Sequence, residues 1–486
     1  MRSHRFNRSG RTALGAAVAV LLTTGCDFLD PTNVTNPNTT TADLAEAAEP
    51  TAALMPGVRA QMARAVRAVV QTTALVSDDY EIAFTNVGPE LSDPYAVQPD
   101  GASYNSTGAI GAYWNTQELR ALADFVIDTI APGDDTATDG QLAEAHYYRG
   151  MAFLMQGENF IAVPTAPDTA PAPWDELLGL AASDFTDALA LGPDAALEVA
   201  LTAALARTHR ALGNVPQAIS FAQDALALDD EFVFSQRYSE GEIENPFANE
   251  TRAYQPLPRL DFLDPKYTTR DAPIALAKAE EMHLILAEAE MVGGTLGDYV
   301  MAAGHIQDAL ELAASRPTGS FDDADQRLNP DLSERPSSAD MLVAAEPGAP
   351  FQAGLVLDRP GVVNVPLVSG SSLDAATVGA LVDPTAIRHA LWLARQEILF
   401  LEGRRVHDLG VRMPVALREI ESSSAITEGD ASTVVQVPSY IPNGVIDDFS
   451  PRDPYAASTN EITIDVDMNS ILAEERVSPF GTLSNP

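Results

Sequence analysis

Apolar positions recur at helical spacing through most of the chain. Met282, Ile285, Leu286 and Ala289 follow an i, i+3, i+4, i+7 order. Ile387, Ala390, Leu391 and Ala394 do the same, continued by Ile398 and Leu401. Leu284, Ala287 and Met291 make the opposite face of the first helix apolar too, which predicts a helix sandwiched between neighbours. Proline breaks helix interiors, so the proline-free stretches bound the predicted helices. They run from Asp100 to Ala131, Gly133 to Val163, Trp174 to Gly192, Ile274 to Arg316 and Thr385 to Met413. Short strands are predicted at Gly361 to Val368, Thr433 to Val437 and Glu461 to Val466. Leu205-Ala206, Gly213, Ala218 and Ala225 sit at the small and apolar positions of a tetratricopeptide-like unit, with Gly213-Asn214 at the turn. Residues 141–191 and 277–314 repeat that layout more loosely. The fold class is therefore mainly α: tetratricopeptide-like helix pairs, an α-solenoid, with long irregular loops and a few short strands.

Composition narrows the function. Hydrophobic residues make up 46% of the 486, enough for a sizeable core. The 69 acidic residues against 29 basic ones give a formal charge of −40, so nucleic acid is excluded as a partner. Lysine occurs only at Lys266 and Lys278. Cys26 is the one cysteine, which excludes internal disulfides, CxxC redox motifs and Cys-rich zinc sites.

The N-terminus reads as an export signal. Four arginines and no acid precede Cys26, and Ala13 to Thr24 is an uncharged run too short to span a bilayer. Small residues before a lone Cys26 resemble a bacterial lipoprotein processing site. That resemblance implies acylation of Cys26 and removal of residues 1–25, which takes the charge to −44. Residues 26–41, rich in Thr, Asn and Pro, are expected to tether the lipid to the fold.

Blocks spread in order along the chain resemble the SusD/RagB lipoproteins. Gly25-Cys26-Asp27-Phe28-Leu29-Asp30 is similar to that family's lipidated tether. Glu144 to Phe160, Trp174 to Leu191 and Ala203 to Leu226 are similar to its successive helices. The most specific blocks are Ala279 to Ala289, led by Pro265-Lys266-Tyr267, and Arg395 to Leu409. Val406-His407 stands where the family usually has an aromatic pair. The resemblance implies a SusD-like domain over 42–486. Its helical core would lie at about 110–230, 274–316 and 385–413, its ligand-side excursions at about 78–108, 232–273 and 317–384, and a loop-rich part at 414–486. It further implies a lipid-anchored outer-membrane protein facing the exterior. Such a protein binds an oligomeric nutrient, a glycan first, and delivers it to a SusC-like TonB-dependent receptor. No enzyme activity and no cofactor are expected. The alternatives are a helical-repeat envelope lipoprotein scaffolding other proteins, and a hydrolase with a carboxylate pair.

Chemistry-bearing motifs are few. No GxSxG elbow, HExxH helix, Walker loop or GxGxxG occurs. His146, His209, His283, His305, His389 and His407 are isolated in sequence and are expected as packing residues, so no metal site is predicted. Glu288, Glu397, Glu402, Arg395, Arg404, Arg405 and Asp408 lie on apolar helices and are expected to lock their packing. Trp114 and Trp392 are expected in the core. A sugar needs flat rings beside amide or carboxylate groups. Asp79, Tyr95, Tyr104 and Asn105 bring those types together in one Gly- and Pro-rich segment, and Tyr254 joins them from the second excursion.

Overall fold

The computed structural model describes residues 48–82, 91, 93–101, 111–249, 254–264, 266–322, 336–359 and 361–484. Cys26, the tether, Tyr104 and Asn105 lie outside them. Thr51–Pro486 packs as one unit, and Met1–Pro50 is a separate one. Among the described residues, no helix is long and apolar enough to cross a membrane.

Antiparallel helix pairs dominate. Helix α1 (Pro50–Val76) opens the fold, with strand β1 (Tyr80–Ile82) after it. Helix α2 (Ala112–Asp124) runs on into a π-turn at Phe125–Ile130. Helix α3 (Asp139–Asn159) leads through β2 (Ala162–Val163) and β3 (Ala172–Pro173) to α4 (Trp174–Ala190), which packs on it. Helices α5 (Ala195–Ala211) and α6 (Val215–Leu228) form the tetratricopeptide-like pair. Gly213 turns it at φ +73°, and a Cβ there would meet Pro479 O at 2.9 Å, so glycine is required twice over. Ala206, Ala218, Ala222 and Ala225 are buried between the helices, where small side chains permit close approach.

Three strands precede the third pair: β4 (Val233–Gln236), β5 (Tyr254–Pro256) and β6 (Ile274–Lys278), of which β4 pairs antiparallel with β6. Helices α7 (Ala279–Gly293) and α8 (Leu296–Ser315) form that third pair. A Thr295–Asp298 capping box starts α8. Next come β7 (Thr318–Asp322), β8 (Leu342–Ala344), β9 (Val362–Pro366) and the short α9 (Ala375–Gly379). Helices α10 (Pro384–Ile398) and α11 (Arg405–Asp408) cross the centre. The chain closes with α12 (Leu417–Ser422), β10 (Phe449–Ser450), β11 (Glu461–Ile464) and α13 (Met468–Glu475).

The expected strands at 361–368 and 461–466 form as β9 and β11. The one at 433–437 does not: a 3-10 turn ends at Thr433, and Gln436 makes only an isolated bridge to Arg412. In the first proline-free stretch the described helix begins at Ala112.

Buried ion pairs tie the helices together. The Arg207 guanidinium grips Glu158 across α3 and α5, its Nε 2.7 Å from Oε1. Arg210 donates to Glu288 on α7 and to Asp408 on α11, and Asp408 also receives Nε and Nη2 of Arg395 at 2.9 and 3.0 Å. Arg404 holds Glu281 with two bonds, and Arg405 holds Asp78 with two. Burial alone would raise the Glu281 carboxyl, but Arg404 and Arg207 hold it down to about 2. Both lysines end on one oxygen: Lys266 and Lys278 reach Glu402 Oε1 at 2.5 and 2.7 Å. They also donate to the Phe400 and Ile398 carbonyls at the end of α10. These charged residues thus tie elements of the fold together, as expected from their place on apolar helices.

Candidate functional site

The structure joins the two excursions expected to carry ligand. Strand β1 pairs antiparallel with β5, setting Tyr80 opposite Pro256 and Ile82 opposite Tyr254. Asp79 caps this ribbon through its carbonyl, which accepts from Leu257 N. The Asp79 side chain points inward: it is 4% exposed and accepts from Gln396 Nε2 at 3.1 Å. Tyr95 lies on the next segment, half-buried, with its hydroxyl donating to Ile441 O at 2.8 Å. Asp93 fixes that segment by accepting from Tyr95 N and Gly444 N. Asp79, Tyr95 and the backbone of Tyr254 therefore share one region, with the two described side chains engaged by the fold.

Carboxylates crowd this region. Burial, reinforced by Asp78, raises Asp79 to about 7, and burial, reinforced by Glu81 and Asp448, raises Asp447 to about 8. Between each ordinary value of 3.8 and the raised one, the native state holds a proton that the unfolded chain has released. Stability therefore falls as pH rises through this range. The buried histidines with lowered values oppose this only below their ordinary 6.5. From pH 6.5 to 8, wild type should lose ~2 kcal/mol more than Asp79→Asn/Asp447→Asn. Urea unfolding at the two pH values checks it, and equal losses would contradict it.

A groove of about 560 Å³ opens beside this region. Helix α2 supplies one wall with Trp114, Gln117, Glu118 and Ala121, an i, i+3, i+4, i+7 stripe. The loop after β2 supplies Asp168, and α12 supplies Glu419 and Ser422. Leu417 N donates to Pro99 O at 2.8 Å, so α12 is bound to the same segment that carries Tyr95. The Trp114 ring stands edge-on to Tyr113 at 5.5 Å between centroids. Gln117 is locked: its amide donates to Pro164 O at 3.0 Å and its oxygen accepts from Arg120 Nε at 3.1 Å. Burial raises the Glu419 carboxyl, against hydrogen bonds from Gln117 and Tyr113. Asp168, at φ +56°, accepts from Ser424 N at 2.8 Å. A half-buried indole beside held carboxylates and an arginine can stack a C–H face and accept hydroxyls. It is equipped for binding.

Trp114 is half-buried and packs against the main core cluster, as the sequence reading expected, while the exposed part of its ring, which that reading did not foresee, lines the groove. Its neighbour Tyr113 is the buried one, and Trp114 heads a stripe that is polar at two of its four positions. That mixed stripe was the available signal. Trp392, by contrast, is fully buried as expected. A second groove, of about 480 Å³, is lined by Tyr147, Tyr148, Phe234 and Tyr238. Two of its polar groups share one partner: the Tyr148 hydroxyl donates to Glu144 at 2.6 Å, and Glu144 takes two bonds from Arg59.

No family model and no curated protein matches the sequence. Solved structures do match the fold. A laminarin binding SusD-like protein aligns with a TM-score of 0.52 at 12% identity, over 78% of this chain and 98% of that one. A SusD superfamily protein from Parabacteroides distasonis aligns at 0.48 and 10% identity, over 74% and 88%. A SusD-like carbohydrate binding protein from Bacteroides vulgatus aligns at 0.45 and 11%, over 74% and 83%. At this identity the alignment with the laminarin binding SusD-like protein shows a shared fold.

Proposed function

We propose that this chain is a surface lipoprotein that binds an oligomeric glycan and delivers it to a SusC-like TonB-dependent channel, without chemical conversion. The fold shared with a laminarin binding protein along 98% of that protein carries the reading. The Trp114 groove supports it, because a shallow concavity with one aromatic wall and fixed polar groups suits a sugar chain. In this reading residues 1–25 are the signal, Cys26 the acylated anchor, 26–41 the tether and 42–486 a single domain. Tyr104 and Asn105, ten and nine positions before Trp114 in sequence, are kept as proposed ligand contacts, together with Tyr95 and Tyr254. Capture at a preformed site precedes handover as the barrel opens. The central carboxylates Glu281, Glu402 and Asp408 are held by Arg or Lys, which leaves them unsuited to acid–base work.

Two assays test this. Purified protein should be retarded on immobilised laminarin or another polysaccharide of a panel, with no new reducing ends. New reducing ends would favour a hydrolase. In cells, Cys26→Ser should move the protein from the membrane to the soluble fraction, since stable attachment needs the acyl chains. Wild type extracted in mild detergent should bring a TonB-dependent receptor with it. A Cys26→Ser protein that stays in the membrane without that receptor contradicts the anchor, and recovery of wild type alone contradicts delivery.

A further inference from the structure

Two histidines that are isolated in sequence meet across the third helix pair. His283 on α7 and His305 on α8 have ring centroids 6.2 Å apart. Asp308, one turn beyond His305, places its Oδ2 3.8 Å from His283 Nδ1 and 3.9 Å from His305 Nδ1. The three ligand atoms lie within 4.8 Å of one another. Both Nδ1 atoms are buried and neither has a hydrogen-bond partner. Two helix-borne imidazole nitrogens therefore face one carboxylate with nothing else to satisfy them, an arrangement that costs stability as a mere packing contact.

We infer that His283, His305 and Asp308 form a binding site for a borderline divalent cation of the Zn2+ class, which clips α7 to α8. Imidazole nitrogens suit Zn2+, Ni2+ or Cu2+, whereas Ca2+ and Mg2+ take oxygen ligands. Zinc bonds of ~2.0–2.1 Å put tetrahedral ligands roughly 3.4 Å apart, so each ring nitrogen needs to close on the Asp308 oxygen by about 0.5 Å. Asp308 is half-exposed, leaving an entry path and room for water in the remaining coordination position. His283 is the more buried of the two rings. Glu280 and Asp230 add negative potential at the same ring. The other cluster of this kind among the described residues differs. His146 Nδ1 already bonds Asp184 at 2.8 Å, and Asp184 is also taken by Arg149. The site carries the inference because its donors are unspent.

Titration of the purified chain with Zn2+ alone should give one equivalent bound in the micromolar range or tighter. His283→Ala and His305→Ala should each weaken it at least roughly tenfold, and His146→Ala should leave it unchanged. Co2+ bound to wild type should give the intense visible bands of a low-coordinate site, and these should vanish in the double variant. Asp308→Asn, a half-exposed change that cannot unfold the chain, should weaken binding while leaving the metal-free melting temperature as in wild type. Wild type that binds no Zn2+, a double variant that keeps it, or loss of binding in His146→Ala would overturn the assignment.

Discussion

Glu402→Gln is expected to cost at least ~3–5 kcal/mol of folding stability, the range for stranding one partner of a buried ion pair. The position lies at the upper end because two ammoniums depend on it. Lys266 and Lys278 are 3% and 0% exposed at their side chains, and both address Glu402 Oε1. Burial already pulls Lys266 down to about 8, with Glu402 opposing. Without the carboxylate, each lysine must lose its proton or remain charged in an apolar interior. The carboxylate's position is itself held by backbone: Leu401 and Gly403 on either side adopt φ +59° and +78°. Urea unfolding measures the cost. Adding Lys278→Met to the Glu402→Gln background should return part of the loss, because it removes a stranded charge. A Glu402→Gln midpoint matching wild type would show that the lysines draw their stability from the α10 carbonyls alone.

The second large effect is expected at Trp114. A ring that stacks a sugar in a groove behaves as a hot spot worth ~2 kcal/mol or more, roughly thirtyfold in affinity. Trp114→Ala should therefore weaken glycan binding by at least that factor. Melting should fall less than for a fully buried tryptophan, because the ring is only half-buried while Tyr113 and Leu119 carry the buried face of α2. Trp114→Phe should recover part of the affinity. Unaltered binding in Trp114→Ala would move the site towards the Tyr95 segment or the second groove.

The helix pairs were legible because their signals are local. Proline-free runs, small residues at close contacts and a glycine at the turn all act within a few residues. Helix α1 was not legible, since Pro56 falls in its second turn and reads as a break. Its remaining length is held by tertiary burial of Val58, Met62, Val66 and Val69, which outweighs one lost backbone bond. Strand β6 was hidden at the head of a helical stretch, because a five-residue fully buried strand shows no alternation. Aromatic rings in polar loops pointed to the region of Tyr95 and Tyr254, and the β1–β5 pairing does join those excursions. The Trp114 wall was missed because an aromatic beside a buried tyrosine looks like core. His283 and His305 are 22 positions apart in sequence and meet only when α8 folds back on α7, so no short local pattern marks them.

The most direct test of the central claim is calorimetric titration of the purified chain with glycan oligomers of increasing length. The account predicts saturable binding of one oligomer per chain, tightening with length until the groove is filled, with a monosaccharide too weak to detect. No heat with any polymer of a broad panel, from a protein that melts cooperatively, would contradict it and leave a protein scaffold as the better reading.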